Sequence, residues 1–236
     1  MSNLQWNLEE LRDSVLARHG KRVYSELSPC LGSIVERQEF ARFHFHEARD
    51  ALADFMATEH SSSEVLDLIF GREAESTDSY RENSFKAKAH LVACIQNMHS
   101  VLDILGHVIY YSLNLKTATR DRDITLNHVF RSISKIAEYR HLEGQLQGLM
   151  AHEDYRYLNA LVNRSKHKSV ISPSLNMNMR KPENECKEFA FPHFRHNNRD
   201  FQKRLAYEFV ESEFDRQGKR VIEIGTEVNR LVSSAC

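Results

Sequence analysis

The chain has 236 residues, 41% hydrophobic and 28% charged, with a formal net charge of −1. That is enough apolar material for a buried core, and the bulk charge points to no class of partner. Gly (8) and Pro (4) are scarce, which disfavours strands and turns and predicts long helices in a single domain over 1–236.

The N-terminal MSNLQWNLEELRDS is acidic and amphipathic, without the basic-then-apolar order of a leader. Asn7 is placed to cap a first helix that runs to about His19 and stops at Gly20, with Leu8, Leu11 and Val15 as its apolar stripe. Ser28-Pro29 predicts the start of a second helix, running to about Thr58. Ser61-Ser62-Ser63 predicts a break and the cap of a short helix ending before Gly71. Arg72 to Ser84 is polar and reads as a loop. Leu91, Ile95, Met98, Leu102, Leu105 and Ile109 then recur at three or four, predicting a spine helix from Phe85 to Ser112. At 1.5 Å per residue it reaches about 40 Å, a length suited to a bundle. Its most apolar part still holds Gln96, Asn97, His99, Asp103 and His107, which is too polar for a membrane span, so no membrane partner is expected.

Beyond a charged loop at Lys116–Asp123, Leu126, Val129, Phe130, Ile133 and Ile136 mark a further helix. Leu142, Leu146 and Leu149 mark another, continuous with it or kinked near His141. Tyr155, Leu158, Leu161 and Val162 mark the next. After His167 the pattern changes. Ser169 to Met179 and Glu188 to Phe194 alternate loosely, predicting a small extended or β-hairpin arm near 169–195 in a basic, irregular segment at 172–200. A C-terminal helix is predicted within 201–236, with Gly218 and Gly225 as candidate interruptions. The fold class is therefore mainly α: a helical bundle with a small arm.

Cys30, Cys94, Cys186 and Cys236 lie far apart and form no C-x-x-C, so neither a zinc knuckle nor a redox motif is suggested and a reduced cytoplasmic setting is expected. No G-x-S-x-G, P-loop or G-x-G-x-x-G occurs, so a serine hydrolase, a P-loop nucleotidase and a Rossmann enzyme have no support. No cofactor is implied.

Three patterns carry candidate chemistry. Charge is uneven: residues 156–204 hold eleven Lys or Arg and four acids, a difference of +7, which leaves −8 for the rest. Phe189, Phe191, Phe194 and Phe201 interleave with those cations, a composition that suits single-stranded nucleic acid and equally suits a solvated arm whose rings pack inward. The second pattern is the end of the helix YLNALVNRSKHKSVI. Asn159, Asn163 and His167 stand four apart and share one face, with Arg164, Lys166 and Lys168 around them. An imidazole among fixed cations can act as acid or base, and an arginine there can stabilise a phosphoryl oxygen. The same residues also suit the negative end of a helix dipole. The third pattern is His99, Asp103 and His107 on the spine, with His44 and His46 on the second helix. Residues i and i+8 are about 12 Å apart along a helix, so one ion cannot take all three, and a polar seam is the competing reading. No metal site is expected.

The order of the long helix SFKAKAHLVACIQNMHSVLDILGHVIYYSL, a loop, a second long helix and YRYLNALVNRSKHKSVI resembles bacterial HEPN-like proteins, in particular divergent branches with an Asn-x-x-Lys-His run. The resemblance covers about residues 84–171. It implies a helical bundle, often a homodimer, from toxin–antitoxin, phage-defence or RNA-processing systems. Active members are metal-independent ribonucleases that carry Arg and His four to six residues apart. In this chain Arg164 and His167 have two residues between them, while Arg122 and His128 have five and Arg37 and His44 have six. The resemblance implies RNA or a nucleotide as partner, with Arg164, His167 and Asn163 as the candidate catalytic set. Arg156, Lys166, Lys168 and Arg195 are the candidate nucleic-acid contacts. The alternative is a non-enzymatic interaction module, such as an antitoxin-like partner protein; a metal-binding bundle on His99, Asp103, His44 and His46 stands behind it.

Overall fold

The computed structural model describes residues 5–58, 60–70, 74–118, 120, 123–182 and 186–234, with the side chains of 74–77 left aside. Cys236 and Arg122 lie outside the described residues. Among the described residues the helices are α1 (Leu8–Ala57), α2 (Ser62–Phe70), α3 (Ala74–Ser112), α4 (Leu126–Ile133), α5 (Arg140–Ala151), α6 (Glu153–His167) and α7 (Ala206–Ser233). The short strands are β1 (Ser174–Met177), β2 (Lys187–Phe191), β3 (Phe194–His196), β4 (Arg199–Phe201) and β5 (Arg204–Leu205). The protein is mainly α-helical with a small antiparallel arm. It clusters into two compact units: unit 1 is Met1–Glu39, Met98–Arg156 and Glu213–Cys236, and unit 2 is Phe40–Asn97 and Tyr157–Ser212.

Unit 1 is built on an aliphatic core that includes Leu11, Val15, Leu27, Leu31, Leu105, Ile109, Leu146, Ile224 and Val228, all fully or almost fully buried. The Asn7 cap is present, its Oδ1 accepting the Glu10 N–H at 3.1 Å. Gly20 interrupts α1 with φ 78° and ψ 178°, a left-handed conformation that a glycine adopts without penalty, and the helix resumes at once. Pro29 does not begin a helix; it sits inside α1. Leu27, Leu31 and Ile34 are buried on one stripe, which holds the helix together across a proline on its exposed side. Neither Gly218 nor Gly225 interrupts α7. Gly225 is instead where the Trp6 indole meets the helix, since a Cβ there would collide with its Cδ2. Trp6 Nε1 donates to Asn229 Oδ1 at 3.0 Å, and Asn229 Nδ2 donates to Asn7 O at 2.7 Å, which ties the chain start to α7. Thr125 caps α4 by accepting the His128 N–H at 3.1 Å, and a 3-10 turn at Ala137–Tyr139 separates α4 from α5.

Unit 2 combines parts of four helices, α2 and the strands. Ser61 and Glu64 form a reciprocal cap: Ser61 Oγ accepts the Glu64 N–H at 3.3 Å and Glu64 Oε2 accepts the Ser61 N–H at 2.7 Å. From Ala74 onward the polar run before Ser84 is part of α3 rather than a loop, and Arg72 and Glu73 lie outside the described residues. It contains neither Gly nor Pro. Glu82 and Lys86 pair at 2.7 Å one turn apart, and the Tyr80 ring packs on Phe55 at 4.8 Å. Within α3 lies a window apolar and long enough to cross a membrane, and 61% of it is buried inside the protein.

β1, β2 and β5 form an antiparallel sheet in the order β1-β2-β5, with Leu175 opposite Phe189 and Ala190 opposite Leu205. All five residues of β2 are buried, as expected for the central strand. β3 and β4 form a hairpin through Asn197 and Asn198, both at positive φ (48° and 60°), as a two-residue type I′ connection requires. The extended region thus continues to Leu205, beyond the expected end of the arm, and α7 starts at Ala206. Cys30, Cys94 and Cys186 are free thiols, and burial pushes the Cys94 thiol up to about 12.

Candidate nucleic-acid interface at the end of α6

The apolar face of α6 is formed by Tyr157, Leu158, Ala160, Leu161 and Val162, all buried. Asn163, Arg164 and Ser165 are half-buried, and Lys166, His167 and Lys168 are exposed. The helix ends by capping its own carbonyls: the N–H groups of Lys168 and Ser169 both donate to Arg164 O, at 2.9 and 3.1 Å. Ser165 Oγ accepts the Ile171 N–H at 3.3 Å, which starts the chain toward β1.

The sequence-predicted residues separate on this frame. His167 is the last residue of α6 and faces solvent. Asn163 turns back along the helix, its Nδ2 donating to Asn159 O and Oδ1, both at 2.9 Å, and so does not reach forward to orient the imidazole. Arg164 Nη1 donates to the backbone carbonyl of Arg195, and its Nε is buried with no hydrogen-bond partner. The guanidinium therefore ties α6 to β3 and brings exposed Arg195 into the same constellation. Lys166 and Lys168 flank His167 in sequence. Among the described residues no carboxylate lies within ion-pair distance of Lys166, Lys168 or Arg195. Arg156 is exposed and falls in unit 1, whereas the other six belong to unit 2.

Lys181, Lys187, Lys203 and Arg204 of the basic segment serve the fold. Lys187 is buried, and its Nζ donates to Phe55 O at 2.7 Å and to Thr58 O at 2.5 Å. It thereby supplies the cation that the last turn of α1 lacks in its own sequence. Burial pulls its ammonium below the usual lysine range. Glu188, also buried, accepts from Lys203 at 2.6 Å and from Asn178 at 2.8 Å, and Lys181 stands at 3.3 Å. These donors, Lys203 first, hold its carboxyl down at about 2. The Arg204 guanidinium lies 4.7 Å from the centre of the Tyr157 ring. The phenylalanines are not a stacking platform: Phe189, Phe191 and Phe194 are buried, and Phe194 stacks on Phe201 at 4.9 Å. Tyr157 meets Phe194, Phe201 and Phe209 edge-on at 5.4, 5.9 and 4.7 Å. The inward-packing reading of these rings is the correct one, since each alternate side chain of a short strand has a core beneath it.

The spine histidines do not assemble into one site either. Buried His99 has its Nδ1 3.1 Å from Oδ2 of exposed Asp103, a polar pair on one helix face in unit 1. His107 sits beside Tyr111, with ring centres 6.1 Å apart. His44 Nδ1 and His90 Nδ1 share a hydrogen bond at 3.0 Å in unit 2, and His46 takes Arg49 at 3.3 Å. Among the described residues the trio with ligand atoms mutually within 4.8 Å is His152, Asp154 and Glu213, all in unit 1. No spacing in the sequence signals it, because Glu213 comes from a different helix. Its atoms are already engaged: His152 Nδ1 accepts the Asp154 N–H at 3.2 Å, and Arg216 donates to both Glu213 oxygens at 2.6 and 2.7 Å. Burial raises the Glu213 carboxyl above its usual range despite that partner.

The chain matches no family model, no curated protein and no solved structure.

Proposed function

We propose that the exposed basic end of α6 engages RNA or a nucleotide, in the manner implied by the HEPN-like resemblance. The observation that carries this reading is the exposure of His167 together with Lys166, Lys168 and Arg195, none of which is neutralised by a carboxylate among the described residues. Unpaired cations on a rigid helix end attract phosphates through counterion release and fix a strand's register. In a cleaving form, His167 takes the proton of the substrate's 2′-hydroxyl. The 2′-oxygen then bonds to phosphorus, the bond to the 5′-oxygen breaks, that oxygen takes a proton from water while His167 returns its own to solvent, and a cyclic phosphate and a 5′-hydroxyl remain. Arg164, still bonded to the Arg195 carbonyl through Nη1, offers Nη2 to the phosphoryl oxygen. Such a protein belongs in a toxin–antitoxin or phage-defence setting.

A second reading has its own support. Asn163 bonds to Asn159 and Arg164 to Arg195, so two of the three catalytic candidates serve the scaffold. That favours binding without cleavage, as in a regulatory or antitoxin-like partner. Incubation of mixed RNA with the intact chain in EDTA separates the two. Cleavage that persists in chelator and vanishes in His167→Ala supports a metal-independent ribonuclease. Retention of RNA without cleavage supports the binding module, and no retention at low salt removes both.

A further inference from the structure

Unit 1 contains a cavity of about 460 Å3 whose walls include His19, Arg22, Tyr110, Tyr111, Asn114 and Lys116. Its size falls in the range of roughly 300–1,000 Å3 that suits small organic ligands. Two features of the wall are unusual together. The first is charge. Arg22 and Lys116 are exposed, and although Glu26 also lines the cavity, no carboxylate comes within ion-pair distance of either cation among the described residues. The second is a rigid aromatic side. Tyr110 is 8% exposed, its hydroxyl accepts the Ala118 N–H at 3.0 Å, and its ring meets Tyr111 edge-on at 5.5 Å.

The remaining groups fix this geometry. His19 Nε2–H donates to Ser112 O at 3.1 Å, so the imidazole is anchored to the end of α3. Burial, opposed by the bond to Ser112 O and aided by Arg18 and Lys116, holds His19 below the usual histidine range. Asn114 and Lys116 both have positive φ, 49° and 53°, in the turn that brings Lys116 back to the cavity wall. A carboxylate or phosphate can bind Arg22 in a forked geometry, and a phosphate has a further oxygen for Lys116. A flat ring then has the two tyrosines beside it.

We propose that this cavity binds a small phosphate monoester with a planar aromatic body, the phosphate on Arg22 and Lys116 and the ring against Tyr110 and Tyr111. The inference does not depend on the reading of α6. Titration calorimetry of the intact chain tests it with adenosine 5′-monophosphate and phenyl phosphate as probes, and with adenosine and inorganic phosphate as the separate halves. The expected result is that at least one ring phosphate binds about tenfold or more tightly than either half. Arg22→Glu combined with Lys116→Glu weakens it by about tenfold or more, whereas Lys219→Glu, at an exposed position of α7 outside the cavity wall, leaves it unchanged. Both substituted side chains are exposed, and an unshifted thermal transition confirms that the double variant folds; if it shifts, Lys116→Gln alone gives the same ordering. The proposal is overturned if neither ring phosphate binds with a Kd below about 1 mM. It is equally overturned if adenosine or inorganic phosphate binds as tightly as the ring phosphate that binds best, or if the double substitution leaves the affinity unaltered.

Discussion

Unit 1 and unit 2 solve the problem of buried polar groups in different ways. In unit 1 the buried carboxylates are served locally. Glu213 pairs with Arg216 and Glu227 with Arg230, each three residues along the same helix, at 2.6–2.8 Å, and Glu227 adds a partner from another helix, His141 at 3.2 Å. In unit 2 the partners are remote: Lys187 on β2 donates to carbonyls at the end of α1, and Glu188 collects Lys203 and Asn178 from other parts of the arm. A helical unit carries its counter-charges on the next turn. A short-stranded arm has few such neighbours and must take donors from distant chain segments. Unit 2 is therefore the region in which single charge substitutions should matter most, and unit 1 the region in which single apolar ones should.

Trp6→Ala is the sharpest test on the side of unit 1. It removes a buried indole packed on Gly225 and the bond to Asn229. Large-to-small changes of this kind cost about 3–5 kcal/mol. Urea unfolding of the intact chain reads the loss, and a shift below about 1 kcal/mol would place Trp6 outside the core. In unit 2, Lys187→Met keeps the aliphatic stem and removes the ammonium, leaving the Phe55 and Thr58 carbonyls without that donor. The expected loss is about 1–3 kcal/mol. A stabilised variant would mean that the buried charge costs more than its bonds return.

The smallest effect is the pH dependence of Glu188. Its folded carboxyl sits at about 2, below the ordinary value of 4.5. A depressed carboxyl stabilises the fold fully above the unfolded value, and that contribution is lost as pH falls from 4.5 through about 2. Acid titration of stability should show this loss in the parent and a flatter profile in Glu188→Gln. An unchanged profile would show that Lys203, Asn178 and Lys181 are not holding a carboxylate.

The same contrast decides what could be read from the residues alone. The stripes at Leu8, Leu11 and Val15, at Leu142, Leu146 and Leu149, and along α3 repeat every three or four residues, so the unit 1 helices are legible. The cap at Asn7 and the capping box at Ser61–Glu64 follow from local chemistry. The start of α3 is not legible, because a polar helix held by pairs such as Glu82–Lys86 looks like a loop when only apolar spacing is followed. Pro29 misleads because tertiary burial of Leu27 and Leu31 carries the helix through a local helix-start signal. In the arm, the Asn197-Asn198 turn was a usable signal for the hairpin, whereas the partners of Lys187 and Glu188 depend on contacts that no spacing encodes. Of the candidate site, the exposure of His167 and its lysines was legible from the helix ending. The diversion of Asn163 to Asn159 was within reach of the i, i+4 rule, and that of Arg164 to the Arg195 carbonyl was not.

The central functional claim is that the unpaired cations around His167 meet phosphates. The most direct measurement is the affinity of the intact chain for a single-stranded RNA oligomer across a salt series, compared with Lys166→Glu/Lys168→Glu. Binding to the parent should weaken steeply with salt, and the variant should show a shallower slope and an affinity lower by about tenfold or more. Equal affinity and equal slope in the two proteins would contradict the claim.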